Sequence, residues 1–362
     1  MRTSRGLKEA YRLGAIKSKE IITHFIDSKG TNVMVIGQKG SGKTTLLLTI
    51  ADAVMYQNSE TKQFEKETVI YRGRNSDTWN WLNKDRVVVF VHKKDIKTVT
   101  FRDDTRREIP PIELPVIETY VSFNHLLSRL RDGKINVVYE PSEYQLSPNI
   151  KKMIAKRGMS EESDMFKNTA AIDPVIFWFE FLHFLTIKKG HKAITIIMDE
   201  FDEVCPQTPG GLRWHLNMFF KDVCKDLRKK SISLFCACHS ITDFDGRLKS
   251  KFPYKIWMRG SITPTGSIVN HTAPVKLQTG HYYIEMAGWG ISKCDRIEPK
   301  TIINVQLHPE IAEDFWDEAW IDPSELKSLD DPQSTTTLKP SPTASSELLI
   351  SIPGSSILRS DK

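Results

Sequence analysis

Eight residues near the start of the chain, Gly37–Thr44, restrict its fold more than any other feature. They read GQKGSGKT and fit the pattern G-x-x-x-x-G-K-[ST] at every position. Glycines let such a loop curl so that its backbone N–H groups point at phosphate oxygens. The lysine then reaches the β- and γ-phosphates, and the last hydroxyl faces Mg²⁺. We therefore expect the nucleotide phosphates to be held by Gly37, Gln38, Lys39, Gly40, Ser41, Gly42, Lys43, Thr44 and Thr45.

The residues on either side of this loop have the pattern that it requires. Asn32–Ile36 (NVMVI) is a continuous apolar run, typical of a strand buried on both faces. A helical pattern over 44–56 follows at once, and its positive N-terminal end would face the phosphates. Further short apolar runs alternate with helical patterns along the chain, which indicates a parallel α/β sheet.

Three other stretches give weaker predictions. Residues 86–92 and 96–101 alternate in polarity around a short KKD turn, which predicts a β-hairpin. Residues 255–258, 275–278 and 282–286 predict a small extension of the sheet. Residues 141–168 are polar and have no clear period, so we predict an insertion or a flexible loop there.

A second apolar run, Ile194–Met198 (ITIIM), is followed directly by Asp199 and Glu200. A hydrolytic phosphate loop needs such an acidic strand end, because one carboxylate holds the Mg²⁺ shell and the other polarises the attacking water. We predict that Thr44 and Asp199 bind the metal, and that Lys43 and Glu200 serve catalysis. The chain has no N-K-x-D guanine signature, so ATP is favoured over GTP.

Two further polar residues follow the apolar run SISLFCAC. His239 comes at its end, and we predict that it senses the γ-phosphate. Arg247 lies in the polar turn beyond, where an arginine finger for the ATP of a neighbouring subunit is expected. Arg213, Arg228 and Arg259 compete for that role.

The composition indicates the compartment and the partners that the protein can have. The five cysteines have no framework spacing, which fits a reducing compartment, and we expect a cytoplasmic protein. The most apolar run, residues 175–187, is shorter than the roughly 20 residues of a membrane span, so we predict no transmembrane segment. The net charge of +6 over 362 residues is too mild to indicate a nucleic-acid partner by itself.

The expected organisation has four parts. A helical lead covers residues 1–29, and the P-loop domain covers 30–305. An acidic and aromatic segment follows at 306–329. The residues 330–362 are rich in Ser, Thr and Pro, which predicts a disordered tail.

The succession VMVIGQKGSGKTT, ITIIMDEFDEV and DVCKDLRKKSISLFCACHS is similar to the HerA/FtsK class of P-loop ATPases. That class includes DNA translocases, conjugation-type pumps and viral genome-packaging motors. The resemblance covers residues 30–300. It implies a RecA-like P-loop NTPase fold, with a mainly parallel central sheet flanked by helices and small β-hairpin extensions. The class often has Gln at the end of the sensor strand, where this chain has His239.

The resemblance also implies a function and partners. It implies a motor that hydrolyses ATP with Mg²⁺ and translocates double-stranded DNA, packaging or transferring the genome of a virus or mobile element. The motor would be a homo-oligomeric ring, expected to be hexameric, with ATP at subunit interfaces. The tail would serve a portal, capsid or membrane partner, giving virion or membrane-complex association. Sequence-independent phosphate contacts are expected from the basic runs Arg72–Arg74, Lys93–Lys94, Arg106–Arg107, Lys151–Lys152 and Arg228–Lys230.

Other functions remain open at this point. A motor for filament extrusion or secretion, similar to zonula-occludens-toxin-like ATPases, would carry the same loop, although such proteins usually add a transmembrane helix. A nucleotide switch that hydrolyses poorly is a different class, and Glu200 argues against it. Replication-initiator AAA+ ATPases need a C-terminal helical lid, which the sequence does not indicate.

Overall fold

The computed structural model describes residues 30–60, 68–74, 84–96, 99–102, 110, 114–156, 175–188, 194–209, 211–285, 291–293 and 304–307. The chain divides into two units, residues 1–318 and 319–362, and every described residue belongs to the first. The strands are β1 (Asn32–Ile36), β2 (Thr68–Gly73), β3 (Val87–His92), β4 (Val99–Arg102), β5 (Val116–Tyr120), β6 (Ile135–Tyr139), β7 (Ile194–Met198), β8 (Ile232–Cys238), β9 (Tyr254–Met258), β10 (His281–Glu285), β11 (Ile291–Lys293) and β12 (Asn304–Leu307). The helices are α1 (Lys43–Glu60), α2 (Phe123–Arg129), α3 (Pro148–Ala155), α4 (Ile176–Ile187), α5 (Phe201–Val204) and α6 (Gly211–Lys229).

Ten strands form one sheet in the order β11-β10-β9-β1-β8-β7-β2-β6-β3-β5. Every neighbouring pair from β9 to β5 is parallel, and only β10 and β11 run antiparallel to their neighbours. The carboxyl ends of β1, β8, β7 and β2 therefore meet along one edge of the sheet, where parallel α/β sheets bind ligands. The predicted RecA-like fold, with a mainly parallel central sheet, is confirmed.

Helices cover both faces of this sheet. Because successive strand residues point to opposite faces, Val33 and Val35 of β1 pack with α1. Met34 and Ile36 point to the other face, into the core formed with α2, α3, α4 and α6. Both faces are thus removed from water, which explains why the central strands are continuous apolar runs.

The predicted hairpin of residues 86–101 is wrong. β3 lies inside the large sheet, parallel to β5 and β6, and β4 pairs with β12 in a separate two-stranded sheet. Residues 87–91 (VVVFV) are all buried, as expected for a parallel strand covered on both faces. The apolar run, and not the alternation around it, was the informative signal.

The predicted sheet extension is present except for one strand. β9 pairs with β10, and β10 pairs with β11. Residues 275–278 do not form the predicted strand. Ala273–Lys276 is a 3-10 turn instead, and Pro274 within it has no N–H to donate to a sheet ladder.

Part of the region 141–168 is a packed helix, where the sequence predicts a loop. The side chain of Ser147 accepts a hydrogen bond from the backbone N–H of Ile150, and Pro148 occupies the first turn of α3. Ile150 and Ile154 are buried in the core. The predicted loop is therefore wrong for residues 148–155, and residues 157–168 lie outside the described part of the chain.

The predicted end segments are not tested. Residues 1–29 and 308–362 lie outside the described residues, so the helical lead and the tail stay predictions. Within the part of the chain that the structure describes, no helix combines the length and apolarity that crossing a bilayer requires.

Candidate nucleotide site

The phosphate loop joins β1 to α1 and is exposed at its tip, residues 38–40. Gly40 and Gly42 have φ angles of +75° and +101°, in the left-handed region that glycine enters without a steric penalty. At Gly37 a Cβ atom would lie 2.8 Å from the Cβ of Met258. The glycines of the motif therefore serve both the curl of the loop and its close approach to β9.

Backbone hydrogen bonds fix the loop to three neighbouring segments. The N–H of Gly37 donates to the carbonyl of Cys238 at 3.3 Å, and that of Gln38 donates to the carbonyl of Arg259 at 3.1 Å. The N–H of Gly280 donates to the carbonyl of Ser41 at 3.0 Å. The ends of β8 and β9 and the residue before β10 thus position the loop. These contacts are not predictable from the sequence pattern.

Lys43 is buried beneath the loop, with 6% of its surface exposed. Its Nζ donates to the carbonyl of Gly37 at 2.7 Å and lies 3.2 Å from Nδ1 of His239. Burial lowers the pKa of Lys43, although the nearby Asp199 carboxylate acts in the opposite direction. An ammonium group can only donate, so Nδ1 of His239 accepts in this contact.

The structure brings Thr44 and Asp199, the two predicted metal ligands, into contact. The hydroxyl of Thr44 donates a hydrogen bond to Oδ2 of Asp199. Oδ1 of Asp199 accepts from the backbone N–H of Glu200 at 2.9 Å. Mg²⁺ in phosphate sites is typically bound by one or two protein oxygens together with waters and substrate phosphates. The pair fits that requirement. Ser41 adds a buried hydroxyl that has no hydrogen-bond partner among the described residues.

Glu200 adopts an unusual backbone conformation at the junction of β7 and α5. Its φ and ψ are 45° and 53°, a left-handed conformation that is uncommon for a residue with a side chain. Oε2 lies 2.5 Å from Nη1 of Arg74, and Oε1 lies 3.7 Å from Nε2 of His239. Burial opposes ionisation of this carboxyl, but the hydrogen bond and charge of Arg74 lower the pKa of Glu200.

The end of β2 brings two arginines to the same edge of the sheet. Arg72 is buried, with Nε and Nη2 each 3.1 Å from the carboxylate of Glu140 and Nη1 3.2 Å from Glu203. Arg74 contacts Glu203 as well as Glu200. The expectation that Arg72 presents its charge to DNA is therefore wrong, because three carboxylate contacts hold it inside the protein.

Sequence reasoning missed the place of Arg74 in the site. A signal was present, since Arg74 directly follows the strand β2, as Asp199 directly follows β7. The carboxyl ends of parallel strands share one edge, so polar residues at those positions are candidates for the same site.

Arg247 lies apart from this cluster of contacts. Its Nε is 2.9 Å from Oδ1 of the buried Asp245, and its guanidinium is 5.1 Å from the ring centroid of Trp214. Burial of Asp245 acts to raise its pKa, but the hydrogen bonds from Arg247 outweigh burial and lower the pKa of Asp245. Its role as an arginine finger stays a prediction. The competing arginines are also placed: Arg213 donates to the carbonyl of Glu203, Arg259 donates to Thr279, and Arg228 is exposed at the end of α6.

Among the other predicted DNA-contacting residues, exposed side chains are found at Lys93, Lys94, Lys152, Arg228, Lys229 and Lys230. Lys151 is half-buried. Arg106 and Arg107 lie outside the described residues.

Neither a protein-family model nor a curated protein matches this sequence. Among solved structures, the chain is similar to the genome packaging NTPase B204 from Sulfolobus turreted icosahedral virus 2 in complex with AMPPCP. The identity is 11%, the match covers 73% of this chain and 98% of that one, and the TM-score is 0.37. It is also similar to EccC (ATPases 2 and 3) from Thermomonospora curvata in complex with a signal sequence peptide. There the identity is 12%, the coverage is 74% of this chain and 37% of that one, and the TM-score is 0.32.

A third similar structure is EssC (ATPases 2 and 3) from Geobacillus thermodenitrificans, at 10% identity and a TM-score of 0.31. The match covers 79% of this chain and 41% of EssC. The identities and TM-scores are low, so the fold assignment rests on the strand order and the phosphate loop of this chain.

Proposed function

We propose that the chain is an ATP-hydrolysing motor of the HerA/FtsK type that translocates double-stranded DNA. The observation that carries the proposal is the meeting of four side chains at one edge of the sheet: Lys43, Thr44, Asp199 and Glu200. Thr44 reaches Asp199 only through folding, since 155 positions separate the loop threonine from the strand-end acid in the sequence. Such a constellation is the one that phosphoryl transfer from ATP to water requires.

Each residue has a separate task in this proposal. The N–H groups of the loop bind the phosphate oxygens, and Lys43 neutralises negative charge beside them. Thr44 and Asp199 would hold Mg²⁺, which supplies further positive charge to the phosphates. Glu200 orients the attacking water. We also propose that His239, which lies 3.2 Å from Lys43 and 3.7 Å from Glu200, senses the γ-phosphate.

The proposal extends to assembly and partners. We propose a homo-oligomeric ring in which Arg247, or one of the competing arginines, reaches the ATP of the neighbouring subunit. The genome of a virus or mobile element is the proposed cargo, with a portal, capsid or membrane partner bound through the tail. Electron microscopy of the protein with ATP and duplex DNA tests the ring directly, and particles that stay monomeric would contradict it.

The test of the enzyme compares ATP hydrolysis by the full chain with and without duplex DNA. We expect hydrolysis that rises when duplex is added and that Lys43→Ala abolishes. Lys225→Ala is the matched control, since Lys225 is exposed on α6 and should leave the rate unchanged. A hydrolysis rate that does not change with duplex DNA at low salt would contradict the DNA role. A rate that Lys43→Ala leaves unchanged would contradict the assignment of the ATPase site.

A further inference from the structure

The amino-terminal edge of the sheet, opposite the phosphate loop, carries a group of basic side chains. β8 is parallel to β1, so the helix that precedes β8, α6, ends at this edge. Gly30, just before β1, lies against that helix end. Its N–H donates to the hydroxyl of Ser233 at 3.1 Å, and a Cβ atom on it would lie 2.5 Å from the carbonyl oxygen of Arg228. The run Arg228–Lys230 is therefore exposed at the edge where β1 begins.

A second basic segment reaches the same edge on the other side of β1. The 3-10 turn Lys249–Lys251 leads into β9, which is also parallel to β1. Asn32, the first residue of β1, joins the two segments. Its Nδ2 donates to the carbonyl of Cys224 in α6 at 3.1 Å and to that of Lys251 at 3.0 Å. Asn32 is fully buried, so breaking these hydrogen bonds would leave its N–H groups unpaired away from water. Asn32 thus fixes the two basic segments side by side.

Positive charge prevails in these two segments. Residues 226–231 and 249–253 contain five basic residues and one acid, Asp226. Asp226 lies 3.0 Å from Lys229, and both side chains are exposed, so the pair is weak and Lys229 can exchange Asp226 for a phosphate. We call the side chains of Arg228, Lys229, Lys230 and Lys251 the amino-edge surface.

The nucleotide edge is less suited to a polyanion. The segment 199–203, which follows β7, contains four acids and no base. The nearby Arg72 and Arg74 are paired with carboxylates. Duplex DNA carries one negative charge about every 1.7 Å along its axis, and proteins bind its backbone with Lys and Arg side chains that displace counterions. Charge complementarity therefore favours the amino-edge surface as the place where duplex DNA binds.

We propose that duplex DNA binds the amino-edge surface through its phosphates, and that Asn32 positions this surface and links it to the ATP site through β1. This inference rests on the proposed function, because it concerns the DNA partner of the motor. β1 runs from Asn32 at one edge of the sheet to Ile36 at the other, and the phosphate loop begins at the next residue, Gly37. A displacement of α6 or of the turn before β9 by DNA therefore reaches the phosphate loop through the five buried residues of one strand.

The experiment measures the affinity for duplex DNA by fluorescence anisotropy over a series of salt concentrations, and kcat for ATP with and without duplex, in the full chain. The variant Lys229→Gln/Lys230→Gln/Lys251→Gln removes three charges from the amino-edge surface. We expect it to bind duplex about ten-fold more weakly and to reduce the salt slope by about 2–3. Its kcat without DNA should be unchanged, because the nucleotide site lies at the other edge.

The matched control removes the same charge from the nucleotide edge, by Lys93→Gln/Lys94→Gln/Lys276→Gln. These lysines are exposed after β3 and between β9 and β10. The affinity and the salt slope of this variant should equal those of the original chain. An unchanged affinity in the amino-edge variant, or an equal loss in the control, overturns the assignment of the surface. Binding to phosphatidylserine vesicles but not to duplex also overturns it, since the surface would then serve a lipid headgroup.

Asn32→Leu tests the positioning role, because it retains the approximate size of the side chain, removes both hydrogen bonds and leaves every lysine in place. We expect kcat without DNA and the salt slope to be retained, and the rise of kcat with saturating duplex to be lost. A residue with a merely structural role would change kcat with and without duplex in the same proportion, and that result overturns the link through β1. Should Asn32→Leu fail to fold, as judged by thermal unfolding, Asn32→Ser takes its place, since one hydroxyl can donate to only one of the two carbonyls.

The outcomes also separate this inference from the proposed function. Hydrolysis that depends on Lys43 and rises equally with duplex in every variant leaves the proposed motor in place and removes only the amino-edge surface. If the original chain neither binds duplex nor responds to it, the DNA role falls together with this inference, whereas Lys43-dependent hydrolysis stands.

Discussion

At the scale of single residues, Glu200 is the side chain on which turnover should depend most. In the proposed function, Lys43, Thr44 and Asp199 hold the phosphates and the metal, whereas Glu200 orients the attacking water. We expect Glu200→Gln to lower kcat by roughly 10²–10⁴-fold, the usual contribution of a group that handles the proton in the reaction. ATP binding should be retained, because the loop and Lys43 are untouched. Hydrolysis assays and binding of a fluorescent ATP analogue measure the two effects separately.

The control for this variant is Asp222→Asn, which also neutralises a carboxylate but lies exposed on α6. Its kcat should equal that of the original chain. A parallel loss of ATP binding and hydrolysis in Glu200→Gln would assign Glu200 to the architecture of the site and not to turnover.

The residues of the site divide by the kind of signal that reveals them. The loop and the pair Asp199–Glu200 are predictable, because phosphate and Mg²⁺ demand particular residue types at fixed spacings. Arg74 is not predictable in that way, since its contact with Glu200 exists only because β2 and β7 are neighbours. Arg72 looks like a surface charge in the sequence and is buried, because Glu140 and Glu203 compensate its charge.

At the scale of elements, α4 carries a buried carboxylate that links it to the segment before α3. Glu180 is 4% exposed, and its Oε2 accepts from the hydroxyl of Tyr144 at 2.6 Å and from the N–H of Ser147 at 3.1 Å. Burial raises the pKa of Glu180 above its ordinary value of 4.5, against the effect of these hydrogen bonds and of Lys151. The folded chain therefore binds this proton more tightly than the unfolded chain does.

A pH dependence of stability follows, with a definite sign. Between pH 4.5 and the raised pKa of Glu180, the folded state holds more protons than the unfolded state, so the free energy of unfolding falls as pH rises. Glu180→Gln cannot ionise and keeps an oxygen that accepts from Tyr144. We expect this variant to lose stability less steeply with rising pH. Urea unfolding at a series of pH values measures the slope, and an unchanged slope in Glu180→Gln would contradict the prediction.

Strands whose residues are all buried are predictable from the sequence. β1 and β7 are continuous apolar runs in the sequence and buried strands in the structure. α3 is not predicted from the sequence because its eight residues make only about two turns, and packing of Ile150 and Ile154 stabilises it. The hairpin prediction at β3 is wrong because the sequence of a strand does not show which strand it pairs with when that partner is distant along the chain.

At the scale of the whole molecule, the alternation of strands and helices predicts a parallel sheet but not its full order. The neighbours β9-β1-β8-β7-β2 are all parallel, as the mainly parallel central sheet that the resemblance implies requires. The sequence does not predict that the sheet continues from β2 through β6, β3 and β5. Parallel neighbours are joined by long crossovers, so local sequence does not determine which strands become adjacent.

The charge of the whole molecule limits how it can bind its proposed cargo. A net charge of +6 is modest, so binding to duplex DNA should come from local basic runs that contact phosphates. We expect the logarithm of the affinity to fall linearly with the logarithm of salt concentration, by about 0.9 for each phosphate contacted. Two duplexes of unrelated sequence should give the same line, measured by fluorescence anisotropy.

The exposed run Arg228–Lys230 at the end of α6 provides the matched variants. Replacing all three residues by Ala should weaken binding to both duplexes equally and reduce the salt slope by about 2–3, since each contact releases its counterions independently of sequence. Lys229→Arg/Lys230→Arg retains the charge and should keep the original slope. Binding that ignores salt, or that distinguishes the two duplexes, would contradict a phosphate-tracking motor, because phosphate contacts position a protein on DNA without reading its bases.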